Sequence, residues 1–153
     1  MPIADRLAEL EIKLPPAPEP VAAYIPAVRT GSLIFISGQL PLKDGQLLAS
    51  GPVPSRVSLE KAQAATRQCV LNALAVLAAQ LDGDLDRVER IVRLGIFVCC
   101  EAGFTDQPKV GNGASELLQK IFGEKGRHAR AAVGSIALPL GATVEVEMIA
   151  EVS

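Results

Sequence analysis

The tetrapeptide Arg127-His128-Ala129-Arg130 places two guanidinium groups and the only histidine of the chain just ahead of a β-prone run. A guanidinium is a planar fork of donors that matches a carboxylate or phosphate at two points, so this corner could hold an anion. Charged residues that follow a helix also commonly just face water, and the four residues fit that reading as well. A second pair, Glu145 and Glu147, stands two apart in the alternating run Val144-Glu145-Val146-Glu147-Met148. On a strand this spacing sends both carboxylates to one face and the apolar residues to the other. Neighbouring carboxylates can divide acid and base duties when one is desolvated, although a plain polar strand face has the same pattern.

Other chemistries lack their residues. One histidine, with no cysteine pair at chelating spacing, supports no zinc centre. Cys99 and Cys100 are adjacent and would point to opposite sides of a strand, while Cys69 falls on an apolar helical stripe; all three read as structural. No phosphate-cradling glycine loop, dinucleotide fingerprint or serine elbow is present. Gly111 and Gly113 flank Asn112 inside a helical pattern, where a glycine costs about 1 kcal/mol relative to alanine, so packing or a ligand must account for them.

These residues need a frame, and 153 residues suffice for one domain with its own core. The balance of 49% hydrophobic to 21% charged residues is globular rather than disordered. With four Phe, one Tyr and no Trp, the core must be built from Ala, Val, Leu and Ile. A mean hydropathy of +0.31 is high enough to expect apolar surface against a partner, most simply another copy of the chain. A net charge of −2 provides no cationic face for nucleic acid. The longest apolar stretch, Ala73–Ala79, is far short of the ~20 residues that cross a bilayer. The opening Met1-Pro2-Ile3-Ala4-Asp5-Arg6 does not read as a signal peptide, and the odd cysteine count fits a reduced, cytoplasmic compartment.

The spacing of Ile3, Leu7 and Leu10 predicts a short amphipathic helix, and the prolines between Leu14 and Pro20 predict an extended arm. Tyr24–Arg29 and Leu33–Ile36 read as a hairpin, and Lys43-Asp44-Gly45-Gln46 as a tight turn. Ser58 caps a helix whose stripe runs Ala62, Ala65, Thr66, Cys69, Ala73, Val76, Leu77, up to the stop at Asp82-Gly83-Asp84. A strand over Arg87–Phe97 follows. A helix then opens at Asp106-Gln107-Pro108 and closes at Gly123, and further strands are expected at Ala132-Val133, Ile136–Leu138 and 144–148. Two helices of this kind cover one face of a mixed sheet, an α+β layer pair. The other face should be apolar and open, which favours oligomerisation.

With Ser37-Gly38-Gln39-Leu40-Pro41, the strand–helix order after it, and Ala129-Arg130 followed by Val144-Glu145-Val146, the chain resembles the reactive intermediate deaminase family (YjgF/YER057c/UK114) from about Tyr24 to Val152. The resemblance implies a chorismate-mutase-like α+β fold of the bacillus type, assembled as a homotrimer with a ligand cleft at each subunit interface. It implies that Arg130 grips a substrate carboxylate and Glu145 positions water, with Tyr24 and Asn112 lining the cleft. It further implies hydrolysis of 2-imino acids to 2-oxo acids and ammonia, without metal or cofactor. Where the family commonly has a cysteine this chain has Ala132, which leaves only a backbone carbonyl to contribute. Residues 1–20 form an extra helix and arm ahead of a single domain at 21–153, and the loop around Glu101–Lys109 is longer than is usual in the family. These departures keep open a trimer that binds a 2-oxo acid without turning it over. An endoribonuclease, as some members were once described, is disfavoured by the acidic balance.

Overall fold

A computed structural model describes residues 1–18 and 23–153. The expected boundary between arm and domain, at residues 20 and 21, lies outside the described residues. Helix α1 (Ile3–Glu9) forms where the apolar spacing predicts it. Its Leu7 enters the main core, and the Ile3 N–H donates to Asp86 Oδ1 at 2.8 Å. Strands β1 (Ala27–Thr30) and β2 (Leu33–Gln39) make the expected hairpin, and β3 (Leu42–Lys43) and β4 (Gln46–Leu47) a smaller one around Asp44-Gly45.

Helix α2 (Leu59–Gln80) begins at Ser58, whose hydroxyl accepts from the Lys61 N–H at 3.2 Å. It ends where Asp82 and Gly83 turn left-handed at φ 54° and 87°. Strand β5 (Val88–Cys99), helix α3 (Gln107–Phe122), strand β6 (Ala129–Ser135) and strand β7 (Val144–Val152) complete the domain. The sheet order is β1-β2-β7-β5-β6, with β5 and β6 parallel across α3 and the other pairs antiparallel.

Both long helices lie on one face of this sheet, against buried Ile34, Ile36, Leu94, Ile96, Val146 and Met148. Large aromatics are not needed because α2 turns alanines toward the strands and lies close to them. Closeness also explains Gly113: a Cβ there would stand 2.5 Å from both Gln63 O and Thr66 Oγ1 of α2.

Two expectations are corrected. No strand forms at Ile136–Leu138: β6 ends at Ser135, whose hydroxyl donates to Ala137 O at 2.8 Å, and Ile136 is 98% exposed. As the last strand of the sheet, β6 has only β5 beside it, and their register ends at Cys99 and Ser135. The open face of the sheet is mixed rather than apolar. Phe35, Phe97, Val133 and Ile149 share it with Arg93, Glu145 and Glu147, because the strict alternation of β7 sends both carboxylates there.

Candidate functional site

Arg130 pairs in register with Leu94, whose side chain is buried beneath the helices, so it faces α3 rather than the open face. Its Nη1 donates to Asn112 Oδ1 and Ser115 Oγ, both at 3.0 Å, and its Nη2 to the Pro108 carbonyl at 3.2 Å. Pro108 sits at the end of the long loop, in the first turn of α3, so that loop delivers one wall of the cradle. Gly111 makes room: a Cβ there would stand 3.2 Å from Arg130 Nη1 and 2.9 Å from Ile96 Cδ1.

All three acceptors are neutral, and among the described residues no carboxylate pairs with this guanidinium. Of its five N–H donors three are engaged, leaving Nε–H and one on Nη2. A half-buried cation of fixed orientation with two spare donors has the chemistry to accept an anion.

Ser115 and His128 extend the cradle. His128 Nδ1 lies 2.7 Å from the Gly126 carbonyl, which can only accept, so Nδ1 carries the proton and Nε2 a lone pair. Ser115 lies 2.9 Å from Nε2 and donates its hydroxyl proton there, leaving its oxygen lone pairs for Arg130. Burial pushes the His128 pKa down, opposed by the Gly126 hydrogen bond and helped by the charge of Arg130, so the neutral ring that this chain of bonds requires is favoured. His128 belongs to the corner singled out in the sequence, but Ser115 is not among the expected site residues, although it is one helical turn from Asn112 and so shares its face. Arg127, by contrast, projects into solvent and pairs with Glu124 at 3.6 Å. Ala132, two residues beyond Arg130 on the same side, packs against the core.

Glu145 pairs with Phe97 and lies on the open face, over Gly38. A Cβ at residue 38 would come within 2.9 Å of Glu145 Cδ, so the glycine of the Ser37-Gly38-Gln39 motif is the seat of the carboxylate. The register of β2 on β7 shifts between Ile36 and Gln39, beside this seat. Burial, and secondarily the charge of Glu147, raise the Glu145 pKa from its ordinary value. Glu147 sits likewise over Gly95 and pairs with Arg93 at 3.3 Å. Tyr24, Pro26, Gly38 and Glu145 line one end of a cavity of about 990 Å³.

The expected residues therefore fall into two groups, Arg130, Asn112 and Ala132 in one, Tyr24 and Glu145 in the other. Leu94 is in register with both Arg130 and Met148, which sets Arg130 three residues along β7 from Glu145, two strands away and on the opposite face. That is roughly 10 Å along the strands and roughly 10 Å across them, before the side chains diverge. Within one copy the two groups do not meet.

The model of the YjgF/chorismate mutase-like family matches residues 4–152. The chain belongs to this family. A solved structure, that of the Agrobacterium tumefaciens protein Atu1372, superposes with a TM-score of 0.91 at 42% identity, over 99% of this chain and 93% of that one. Protein TCP17 of Trypanosoma cruzi is 43% identical over 99% of this chain and 94% of its own length. More distant, at 28% identity over 90% of this chain and 92% of the relative, is the 2-iminobutanoate/2-iminopropanoate deaminase of Dermatophagoides farinae. The family's chorismate-mutase-like α+β fold is thus the fold of this chain, and the match covers α1 from its second residue onward.

Proposed function

We propose that the protein hydrolyses 2-imino acids to 2-oxo acids and ammonia, in clefts formed where neighbouring copies of a homotrimer bring the Arg130 group of one against the Glu145 group of the next. The observation that carries this reading is the Arg130 guanidinium, oriented by three neutral acceptors and unmatched by any carboxylate among the described residues. A substrate carboxylate accepts from the free Nε–H and Nη2–H, which fixes the imine carbon in space.

Glu145, held in a seat that only glycine leaves open and with its pKa raised by burial, orients a water for attack. The water oxygen bonds to the imine carbon as the C=N π bond opens, and one water proton passes by way of the Glu145 carboxylate to the nitrogen; the proton of the resulting hydroxyl then follows by the same carboxylate as the C–N bond breaks and the C=O bond forms, releasing ammonia and the 2-oxo acid. Tyr24 closes over the substrate from the Glu145 side. The separation of the two groups within one copy, together with the apolar part of the open sheet face, supports an assembly with cyclic symmetry.

Two measurements test this. Ammonia release from 2-iminobutanoate or 2-iminopropanoate generated in situ should be accelerated by the protein and lost in Arg130→Ala; equal rates with the two proteins would sink the mechanism. Co-expression of Arg130→Ala with Glu145→Gln should then restore activity that neither variant has alone. With random assembly, about one interface in four pairs an intact arginine with an intact glutamate. Mixed oligomers as inactive as their parents would mean that the two groups do not work across an interface.

A further inference from the structure

The cavity that ends at Tyr24 and Glu145 runs on beneath the N-terminal arm. Its volume of about 990 Å³ is at the upper end of small-molecule sites, and the methyl or ethyl group of the simplest 2-imino acids would leave nearly all of it to water. The far end is walled by Leu14 and Pro16 of the arm, Leu40 of the loop before β3, Leu42 of β3, and Leu71 of α2, with Lys13 and Lys43 also at its lining.

The two amides in this end already have work. Asn72 Nδ2 donates to the carbonyls of Leu40 and Leu42 at 2.9 and 3.0 Å, and its Oδ1 accepts from Gln68 Nε2 at 3.0 Å. Those amides fix the loop that forms the floor. The arm is fixed as well: Leu7 is in the core, the Ile12 N–H donates to Leu7 O at 2.8 Å, and α1 is tied to Asp86. Ile12 and Leu14 also pack against the core, so the start of the arm is a wall of the same cavity that the Glu145 seat lines.

We propose that this chamber receives the side chain of the substrate, and that the protein selects 2-imino acids with large apolar side chains, branched, thioether or aromatic, over those with a methyl or ethyl group. The inference rests on the reading of Arg130 and Glu145 given above. Their two ends of the cleft fix the carboxylate and the imine carbon, and the remaining substituent on that carbon is directed to the large, mainly apolar space that opens beside Glu145. Transferring several more methylene equivalents from water into such a wall corresponds to roughly a 10- to 100-fold preference in kcat/KM.

The test compares ammonia release from imines generated in situ by an amino-acid oxidase from leucine, methionine and phenylalanine with release from the alanine-derived imine. The wild type should favour the large substrates by that factor. Leu14→Asp, which charges the arm wall, and Leu71→Phe, which fills the chamber, should each lower the large-substrate rate by more than the small one and collapse the ratio. A flat ratio in the wild type, including the case in which a neighbouring copy fills the chamber, would overturn the inference while leaving imine hydrolysis intact. Should no imine be hydrolysed, the proposed activity fails, and calorimetric binding of 3-phenylpyruvate and 4-methyl-2-oxopentanoate against pyruvate decides the chamber separately. Tighter binding of the larger acids, weakened by Leu14→Asp, would support it, and equal binding would reject it.

Discussion

The two halves of the candidate site are built by opposite means. On the α3 side, Arg130 is held by what is present: an asparagine amide, a serine hydroxyl backed by a histidine, and a carbonyl at the start of a helix. On the open face, Glu145 is held by what is missing, the Cβ of Gly38. A guanidinium has many donors and needs partners to fix its plane, and each partner adds a modest amount of stability. A carboxylate pressed against backbone gains no such partners and is desolvated, which shows in its raised pKa. The cation half should therefore tolerate single losses in its cradle, while the carboxylate half depends on one glycine and stores a cost that function requires.

The largest expected effect is at the centre of the first half. Arg130→Ala removes the charge that binds the substrate carboxylate, and a hydrogen bond to a charged group is worth about 1.5–3 kcal/mol. With two such bonds lost, kcat/KM for imine hydrolysis should fall by at least ~100-fold. Arg130→Lys, a point charge without the planar fork, should recover only part of it. Melting temperatures should change little in either variant, because Asn112 and Ser115 can turn to water. Activity in Arg130→Ala within a few-fold of wild type would break the assignment of this half.

Glu145→Gln comes next, and it separates the halves by sign. Activity should drop by roughly 100-fold for loss of the acid–base group. Stability should move the other way. A carboxylate whose native pKa is raised binds its proton more tightly in the folded state, so ionisation destabilises as pH rises from the unfolded value through the native one, and the full cost persists above it. The glutamine variant avoids that cost. Thermal unfolding at pH 7 should show it more stable than the wild type, with the gap closing below about pH 4. A variant less stable at pH 7 would show that the carboxylate is not strained in its seat.

Gly38→Ala sharpens the same point at smaller amplitude. The new methyl would meet the far end of the Glu145 side chain, which can swing away, so stability should barely change while activity falls about 10-fold through misplacement of the carboxylate. In the double variant with Glu145→Gln, the glycine change should add almost nothing, since both act through one group. Additive losses would mean that Gly38 acts through something other than Glu145.

The contrast also explains which parts of the molecule were legible from sequence. The helix over α2 could be read because Ser58, the alanine stripe and Asp82-Gly83 agree on where it starts, which face it buries and where it stops. The alternation of β7 gave its two faces directly. The strand expected at Ile136–Leu138 failed because β-prone residues still need a neighbour, and β6 runs out of β5 at Ser135. Arg130 and Glu145 could be nominated by type and by resemblance, but not their separation within one copy, since pattern gives the face of a strand and not its rank in the sheet. Ser115 was missed for a different reason. A serine in a helix carries no signal of its own until the arginine that it serves is known to lie over that turn. Gly111, by contrast, stands out in the sequence as a glycine inside a helix, and its reason is the room it leaves for Ile96 and Arg130.

The smallest effects are expected in the outer ring of the Arg130 cradle, and they test whether Ser115 and His128 form a unit. Ser115→Ala deletes one of three acceptors, so the guanidinium keeps its charge but loses part of its orientation. KM should rise several-fold with kcat much less affected, and Ser115→Thr, which keeps the hydroxyl, should restore it. His128→Gln should give a similar but weaker KM change, and it carries a signature that a packing defect would not. The native pKa of His128 is lowered, so between that value and the unfolded one near 6.5 the unfolded chain binds the extra proton, and wild-type stability falls as pH drops through this window. Protonation would also turn Nε2 into a donor, placing a second cation on the Ser115 oxygen that already serves Arg130. His128→Gln cannot make this change. Glu145 shifts stability in the opposite sense at lower pH, but it is common to both proteins and cancels in the difference. Subtracting the melting temperatures of His128→Gln from those of the wild type between pH 8 and 5 should thus leave a decline on the acid side. If the two curves run parallel, the imidazole is not held neutral by its neighbours, and Ser115 orients Arg130 without it.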